Sequence, residues 1–188
     1  MHISSAVLGP LATNCYLIET ENHTLLVDPP EDSAALRTFV GERAVDKIVL
    51  THGHFDHVGG TWAIPAEERL IHALDVPYVE HFYPGQPPFE RTIDEGDEIV
   101  PGLRVMHLPG HSPGSIALIG EELLLVGDVL FAGSIGRTDL EGGSYPVMES
   151  SLRRILALTG TYRIFPGHGD PTTLEQERLL NPFLRGLR

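Results

Sequence analysis

Short apolar runs, each ended by glycine, asparagine or proline, divide the first half of the chain into alternating elements. The pattern predicts strands in AVLGP, TNCYLIE, HTLLVDPP, VDKIVL and RLIHAL. SAALRTFVGERA has apolar residues at helical spacing, and Ser33 stands where a helix N-cap is expected. GGTWAIPAEER predicts a short helix that Pro65 interrupts or begins, and the prolines of YPGQPPFERTIDEGDE predict a loop.

The second half of the chain repeats this alternation. GLRVMHLP, SIALIG and ELLLVGD predict strands, and YRIFPGHG predicts a strand that runs into a loop. MESSLRRILALTG predicts an amphipathic helix that ends at Gly160. TLEQERLLNPFL predicts a closing helix, with Thr173 and Gln176 spaced as a capping box. Strands and helices in each half indicate two β-sheets face to face with helices outside, an α/β domain.

Composition narrows the class of protein. The chain has 188 residues, of which 41% are hydrophobic, so we expect one domain over residues 1–188. No apolar run is long enough to span a membrane. We expect no secretory signal, because the N-terminus has neither a basic start nor a long apolar region. The single cysteine, Cys15, excludes an internal disulfide and fits a reducing cytoplasm. We interpret it as a small core residue, with a reactive thiol as the alternative.

The net charge of −13 argues against a nucleic-acid partner, because a polyanion is repelled by the average field of the protein. We therefore expect no nucleic-acid or membrane partner, and the sequence leaves the oligomeric state open.

The densest chemical signal is THGHFDHVGG, which places His52, His54, Asp56 and His57 within six positions. In an extended segment residues at spacing two point the same way, so His52, His54 and Asp56 would line one side of a strand exit. A turn at Asp56–His57 would divide the ligands between two neighbouring points, as a two-metal site requires. The alternative interpretation is a polar surface loop that happens to be rich in histidine.

Three further ligand-type residues follow strands, each next to glycine: His111 in LPGHSPGS, Asp128 in LLLVGDVLF and His168 in IFPGHGD. Glycine lets the backbone approach closely and adopt unusual φ angles. Five histidines and two aspartates suffice for two divalent ions with one aspartate bridging. His2 and His23 are interpreted as surface residues and His107 as an interior histidine, whereas His72 and His81 could line a pocket.

The motifs THGHFDH, PGHSPGS, GDVLFAGSIGRTDL and PGHGDPTT resemble those of the metallo-β-lactamase superfamily, in particular the short glyoxalase II-like hydrolases of the hydroxyacylglutathione hydrolase type. The resemblance extends from Asp28 to the final helix. It implies a four-layered αββα sandwich with metals at one edge, which is the metallo-β-lactamase fold. It also divides the seven ligands between two metals: His52, His54 and His111 on the first, Asp56, His57 and His168 on the second, and Asp128 between them.

The chain departs from several branches of that superfamily. The best-known zinc β-lactamases use a cysteine near the position of Asp128, and Cys15 is too far upstream to replace it, so a lactamase is not expected. Flavo-diiron relatives carry glutamate where His54 stands. Long glyoxalase II enzymes add a helical C-terminal region with basic residues that hold glutathione, whereas this chain ends about twenty residues after His168.

The expected reaction is hydrolysis of a thioester such as S-D-lactoylglutathione by a hydroxide held between the metals, with Asp56 orienting it. Arg137 is the candidate for binding a substrate carboxylate, with a structural pair to Asp139 as the alternative, and Tyr145 is a second candidate for the pocket. We expect a small anionic substrate and two divalent ions per chain, zinc as isolated, with iron or manganese as alternatives. The competing functions are a mononuclear-iron persulfide dioxygenase, a lactone, ester or phosphodiester hydrolase of the same fold, and a non-catalytic protein.

Overall fold

The computed structural model describes residues 1–187. The chain divides into two compact units, one over Met1–Ile93 and the other from Asp94 onward. Both units combine a sheet of six strands with helices, so the mixed α/β class expected from the sequence is confirmed. The expectation of a single domain over residues 1–188 stays a prediction.

The first unit contains one six-stranded sheet in sequential strand order. Its strands are β1 (His2–Leu8), β2 (Thr13–Glu19), β3 (Thr24–Val27), β4 (Val45–Val49), β5 (Ala66–His72) and β6 (Arg91–Ile93). Its helices are α1 (Ala34–Val40), α2 (Phe55–Val58) and α3 (Val76–Phe82), with a 3-10 turn at Ala73–Asp75. β1 to β3 are antiparallel, and β3 to β6 are parallel.

The core of the first unit packs α1 against the sheet. Leu17, Leu26 and Ile48 come from three neighbouring strands and share one cluster with Leu36 of α1. Cys15 lies in β2 with no exposed surface, which agrees with its interpretation as a core residue. A second, smaller cluster joins Leu50, Val58, Ile71 and Val79, and it packs α2 and α3 beside the ends of β4 and β5. The loops that follow those strands therefore rest on a hydrophobic base.

The second unit contains a six-stranded sheet and a small hairpin. Its strands are β7 (Glu98–Val100), β8 (Leu103–His107), β9 (Ile116–Ile119), β10 (Leu123–Gly127), β11 (Leu130–Phe131), β12 (Ser134–Ile135), β13 (Arg163–Pro166) and β14 (Thr172–Thr173). Its helices are α4 (Tyr145–Leu156), α5 (Leu174–Leu180) and α6 (Pro182–Arg185). The order of the large sheet is β14-β13-β10-β9-β8-β7, and β11 pairs with β12.

The amphipathic helix α4 covers the core of the second unit. Met148, Leu152 and Ile155 recur at helical spacing on its buried face and join Leu124 and Ile164 of the sheet in one cluster. α4 begins at Tyr145 and ends at Leu156, so it starts and stops earlier than the sequence pattern predicts. Removing this face from water stabilises the unit, at roughly 25 cal/mol per Å² of apolar surface.

Helix α1 begins where its cap residue was predicted but ends four residues early. Ser33 Oγ accepts the Leu36 N–H at 3.1 Å, which satisfies one of the free amides of the first turn. Gly41, with φ +63°, ends the helix by donating its N–H to Arg37 O. The closing helix is likewise interrupted: Thr173 caps α5 as predicted, and Asn181 separates it from α6, where Pro182 occupies the first turn.

The helix predicted in GGTWAIPAEER was wrong. β5 begins at Ala66, one residue after Pro65, and pairs in parallel with β4. Strand pairing takes up the backbone donors that a helix would have used, so tertiary contacts override the local pattern. The segment predicted as a loop, residues 83–98, also contains β6, which forms an edge of the sheet, and α3 precedes it.

None of the helices within residues 1–187 has the length and the apolar run that crossing a bilayer requires.

Candidate metal centre

Three loops of the first unit leave its sheet at the same edge. β3, β4 and β5 run parallel, and the carboxyl ends of parallel strands share an edge. Asp28 follows β3 directly, Thr51 to His54 follow β4, and the turn after β5 ends at Asp75. The topology thus brings three polar segments that are far apart in sequence to one place.

The H-x-H part of the cluster is extended, as the spacing predicts. His54 has φ −70° and ψ 145°, and its ring centroid lies 4.8 Å from that of His52. The extended conformation ends there, because His57 donates its N–H to His54 O at 3.0 Å and α2 begins at Phe55. The expectation that Asp56 shares the extended edge was therefore wrong: its side chain leaves from the first turn of a helix.

Close approach of two backbones fixes the position of α2. A Cβ on Gly59 would lie 2.6 Å from Pro30 O, and one on Gly60 would lie 2.6 Å from the Leu36 side chain. The Tyr83 hydroxyl donates to Phe55 O at 2.8 Å from the other side. Burial, aided by the charge of Asp56, raises the pKa of Tyr83, so this donor keeps its proton at neutral pH. Only glycine permits this packing, and it sets the direction in which Asp56 and His57 leave the chain.

The buried carboxylate of Asp28 organises the cluster. Its Oδ1 accepts the Thr51 N–H at 2.7 Å, and its Oδ2 accepts the Thr51 hydroxyl at 2.6 Å and lies 2.9 Å from His57 Nδ1. Asp28 has φ +50°, an uncommon conformation for a residue other than glycine. These contacts hold it in that conformation and turn its carboxylate toward the loop after β4.

These contacts fix the proton positions on two histidine rings. Since a carboxylate only accepts, the His57 nitrogen that faces Asp28 carries the proton, and Nε2 keeps its lone pair. Thr51 gives its hydrogen to Asp28, so its oxygen can accept from His52 Nδ1 at 3.1 Å. The same reasoning leaves His52 with an Nε2 lone pair. Histidine ligands of metals are typically oriented in this way by a hydrogen bond from the other ring nitrogen.

Within the first unit, Asp28, His52 and His57 offer ligand-type atoms that lie within 4.8 Å of one another. Because Asp28 already accepts three hydrogen bonds, we interpret it as the group that orients the two histidines. His57 Nε2 lies 3.6 Å from Asp56 Oδ2, so that histidine and that carboxylate converge. The structure thus brings together the four residues that the sequence selected in this loop.

The second unit gathers the three remaining predicted ligands. β8 and β10 point the same way, because each is antiparallel to β9, and β13 is parallel to β10. The loops after β8, β10 and β13 therefore leave one edge, and they carry His111, Asp128 and His168. Asp128 Oδ2 lies 3.6 Å from His111 Nε2 and 3.5 Å from His168 Nε2. One carboxylate oxygen thus lies between two imidazoles, and the bridging role of Asp128 stays a prediction.

His111 has a fixed tautomer as well. Its Nδ1 lies 2.8 Å from Arg137 O, and a carbonyl oxygen only accepts, so Nδ1 carries the proton and Nε2 is available as a ligand. Gly136, the residue before Arg137, packs against Asp128 O so closely that a Cβ would overlap that oxygen. The stretch after β12 therefore supports both His111 and Asp128.

The loop that carries His111 is anchored to α4. Ser151 donates its hydroxyl to Pro109 O at 2.6 Å, and a Cβ on Gly110, at φ +137°, would lie 2.5 Å from the Met148 backbone. The hydroxyls of Ser112 and Ser115 form a hydrogen bond of 2.7 Å within the loop. Its conformation is therefore fixed on both sides of His111.

A buried pair on the closing helices holds the β11–β12 hairpin. Glu177 accepts the Gly133 N–H at 2.8 Å and the Thr172 hydroxyl at 2.7 Å. Asn181 donates to Glu177 at 2.9 Å and to Ser134 O at 3.0 Å. The hairpin leads directly into Gly136 and Arg137, so α5 supports the backbone beneath His111 and Asp128.

The two predicted substrate-binding residues lie at the surface. Arg137 makes a bidentate pair with Asp139, with Nε–Oδ1 2.8 Å and Nη2–Oδ2 2.9 Å, which is the structural pair considered as the alternative. The hydrogen bond and charge of each partner raise the pKa of Arg137 and lower that of Asp139. Tyr145 is exposed at the start of α4. Substrate binding by Arg137 or Tyr145 stays a prediction.

Sequence reasoning missed Asp28, Thr51 and Asp75 as members of the site. All three are buried, and Asp75 accepts the Gly53 N–H at 2.7 Å. A signal for Asp28 was present, since it is a polar residue directly after an apolar strand, as Asp128 is. Asp75 ends a short 3-10 turn, and no local pattern identifies it.

The residues present fit divalent cations. The ligand-type atoms are imidazole nitrogens and carboxylate oxygens, a donor set typical of zinc, iron or manganese. Three imidazoles have their Nδ1 held by hydrogen bonds, so their Nε2 lone pairs are oriented before any ion binds. An uncompensated cluster of this kind would be costly to bury, and a cation removes that cost.

Comparison with known proteins agrees with this chemistry. The hydroxyacylglutathione hydrolase GloC of Haemophilus influenzae is 32% identical over 98% of both chains. The solved structure of TTHA1623 in a di-iron-bound form has a TM-score of 0.86 at 37% identity, covering 96% of this chain and 100% of that one. The BLEG-1 B3 metallo-β-lactamase has a TM-score of 0.82 at 34% identity, covering 97% of this chain and 99% of that one.

The similarity to these solved structures confirms the metallo-β-lactamase fold that the motifs implied. The family model described as the metallo-beta-lactamase superfamily matches residues 8–168, a range that includes all seven predicted ligands. The chain belongs to the metallo-β-lactamase superfamily.

Proposed function

We propose that the chain is a metal-dependent hydrolase that cleaves a small anionic thioester of the S-D-lactoylglutathione type. The observation that carries the proposal is that each unit presents pre-oriented donors. The first unit offers Nε2 lone pairs on His52 and His57. The second unit offers the Nε2 lone pair of His111 and an Asp128 oxygen that lies between His111 and His168. Donors of these types, oriented in this way, suit divalent cations, and most of the loops that carry them have a specific anchor.

We assign the seven ligands to two divalent ions, zinc as isolated, with iron or manganese as alternatives. The assignment follows the family motifs: His52, His54 and His111 for one ion, Asp56, His57 and His168 for the other, with Asp128 shared. When bound, divalent ions supply a water of lowered pKa and polarise a carbonyl oxygen. The histidines contribute oriented nitrogens, and the two aspartates offset part of the positive charge.

Asp56 is proposed to hold and orient the attacking water. Its carboxylate is only 13% exposed and lies beside His57, and α2 fixes its direction. Asp56 Oδ2 is the atom that would accept the proton of that water as the water adds to the carbonyl. The thiolate then leaves without needing a strong acid, because a thiol is far more acidic than an alcohol.

Arg137 is proposed to bind a substrate carboxylate by exchanging its partner. Its bidentate pair with Asp139 lies at the surface, where ion pairs contribute little net stability, so opening it costs little. The guanidinium fork matches a carboxylate in the same geometry. Tyr145 is proposed as a second contact for the substrate.

Two observations support a thioester as the substrate. The 32% identity to a hydroxyacylglutathione hydrolase extends over nearly the full length of both chains. A net charge of −13 would repel anions everywhere except near bound cations, so a small anion with a carboxylate is favoured at this site over a polyanion.

A second candidate is β-lactam hydrolysis, which we do not expect from the sequence but which the 34% identity to a B3 metallo-β-lactamase favours. Both reactions add a water to a carbonyl carbon. The difference between them lies in the leaving group and the shape of the pocket.

The test is elemental analysis of the purified chain together with a substrate panel. The panel contains S-D-lactoylglutathione, a chromogenic cephalosporin, a lactone, a phosphodiester, and glutathione persulfide with an oxygen electrode. We expect two metal ions per chain and the highest kcat/KM for the thioester. One iron per chain with oxygen uptake would identify a persulfide dioxygenase instead, and no turnover by the metal-loaded chain would favour a non-catalytic protein.

We also propose a cytoplasmic location and no nucleic-acid or membrane partner. Cell fractionation with detection of the chain tests the location. Chromatography of a lysate with and without nuclease treatment tests association with nucleic acid.

A further inference from the structure

Asp75 is a fully buried carboxylate that the ligand assignment does not use. It ends the 3-10 turn after β5, and its Oδ2 accepts the backbone N–H of Gly53 at 2.7 Å. Gly53 lies between His52 and His54, so the carboxylate holds the peptide that joins two proposed ligands. A buried carboxylate is costly, so its position beside the Gly53 amide requires an explanation.

Two ordinary roles do not account for Asp75. It stands at the N-cap position of α3, yet its side chain makes no cap hydrogen bond. Within residues 1–187, no group of three ligand-type side chains close enough to share a cation includes Asp75. Its hydrogen bond to the Gly53 amide places it at the peptide between two proposed ligands.

Packing around Gly53 supports the same role. A Cβ on Gly53 would lie 2.6 Å from Asp75 O and 3.2 Å from the Tyr78 Cβ, so the two backbones are in direct contact. The Tyr78 ring meets the His54 ring edge to face, with centroids 6.0 Å apart. The stretch from Asp75 to Tyr78 thus packs directly against the His52–His54 segment and restricts its position.

We propose that Asp75 is a positioning residue for the cation centre: by accepting the Gly53 N–H, it fixes the peptide between His52 and His54 so that both imidazoles are directed at one ion. The inference rests on the proposed function for the identity of the two ligands. The hydrogen bond needs an acceptor, not a charge, and this distinguishes it from an electrostatic effect of the carboxylate on the metal.

The test compares Asp75→Ala, which removes the acceptor, with Asp75→Asn, which keeps an acceptor oxygen without the charge. Asp46→Ala is the matched control, because Asp46 accepts the Thr24 N–H at 2.6 Å in the same unit but at the starts of β3 and β4. Zinc affinity is measured by competition with a chromogenic chelator. Hydrogen exchange of the Gly53 amide is measured by NMR on the metal-free chains.

We expect Asp75→Ala to lower zinc affinity about 10- to 100-fold, the usual effect of losing a group that orients a ligand. Asp75→Asn should stay within about threefold of the parent chain, and Asp46→Ala should not change the affinity. The Gly53 amide should exchange slowly in the parent and in Asp75→Asn, and rapidly in Asp75→Ala.

Unchanged zinc affinity in a folded Asp75→Ala chain, or an equal loss in Asp75→Asn and Asp75→Ala, would overturn the inference. If Asp75→Ala does not fold, the Asp75→Asn result decides. A parent chain that binds no zinc, iron or manganese would contradict the proposed function. His52 and His54 would then not be metal ligands, and Asp75 would not position them for an ion. In that case the hydrogen-exchange data alone decide whether Asp75 protects the Gly53 amide.

Discussion

The hydroxyl of Thr51 donates to the carboxylate of Asp28 at 2.6 Å. The same oxygen lies 3.1 Å from His52 Nδ1, so one threonine links a carboxylate to a proposed metal ligand. These two hydrogen bonds, from hydroxyl to carboxylate and from imidazole to hydroxyl, set the His52 tautomer before any ion binds. A single hydrogen bond joins Asp28 directly to His57. Both rings thus depend on Asp28, and the hydroxyl of Thr51 can be removed without disturbing the shape of the site.

Thr51→Val removes this hydroxyl while keeping the shape of the side chain. We expect zinc affinity to fall at least about tenfold, because the His52 ring loses its hydrogen bond. The free energy of unfolding of the metal-free chain should fall by about 1–3 kcal/mol, since the buried Asp28 Oδ2 loses one of its two hydrogen-bond donors. Chelator competition and urea unfolding measure the two quantities.

Thr61→Val is the control for that change. Thr61 is also fully buried in the first unit, but its hydroxyl has no hydrogen-bond partner in the part of the chain that the structure describes. We expect the control to be neutral or stabilising and to bind zinc as the parent does. Equal zinc affinity in Thr51→Val and Thr61→Val would show that the hydroxyl does not orient His52.

His54→Ala should remove a ligand and leave the fold intact. We expect elemental analysis to show fewer metal ions per chain and the hydrolytic activity to be lost with them. Because bound metal stabilises only the folded state, the rise in Tm on adding zinc should shrink, whereas the Tm of the metal-free chain should change little. His23→Ala, at a partly exposed histidine in the turn between β2 and β3, is the control and should change none of these values. Full activity of His54→Ala would contradict the ligand assignment.

The seven candidate ligands were visible in the sequence because each lies next to a strand end or in one short cluster. His111, Asp128 and His168 follow β8, β10 and β13 as the apolar runs predict, and strand direction then places them at one edge. The local sequence does not encode the direction in which each side chain of the cluster leaves the backbone. Asp56 leaves from a helix because Gly59 and Gly60 allow close backbone contacts more than twenty residues away.

The residues that orient the ligands were harder to find, because their roles depend on tertiary contacts. Asp28 and Asp75 act on backbone or ring atoms 22 to 29 positions away. The Arg137–Asp139 pair, in contrast, is local, and the sequence already offered it as one of two interpretations. The helix expected before β5 was wrong for a related reason, since pairing with β4 outweighs a weak local preference.

The Glu177–Asn181 pair predicts a measurable link between the closing helices and the stability of the second unit. Glu177→Ala leaves the Gly133 N–H, the Thr172 hydroxyl and the Asn181 amide without their common acceptor. We expect the free energy of unfolding to fall by about 1–3 kcal/mol, because the buried Thr172 hydroxyl is left without its acceptor and two further hydrogen bonds are lost. Urea unfolding monitored by circular dichroism measures it.

Two companion variants separate this effect from a general loss of charge on α5. Glu177→Gln keeps one acceptor oxygen, so the loss should be about 1 kcal/mol. Glu175→Ala removes an exposed carboxylate from the first turn of the same helix and should cost less than about 1 kcal/mol through the helix dipole. A loss in Glu177→Ala no larger than that in Glu175→Ala would mean that the pair does not anchor the hairpin.

The thiol of Cys15 should be unreactive in the folded chain. Burial, followed by the charge of Asp28, raises the pKa of Cys15 well above that of a free thiol. Raising the pKa lowers the fraction of thiolate at pH 8, and only the thiolate attacks a disulfide reagent. We expect labelling by an aromatic disulfide at pH 8 to be at least about a hundredfold slower in the native chain than in urea, because it must wait for local opening. Ser5→Cys, at an exposed position of β1 in the same sheet, supplies the control thiol and should react within seconds. Rapid labelling of the native parent chain would show that β2 opens readily and that Cys15 is not the inert core residue described here.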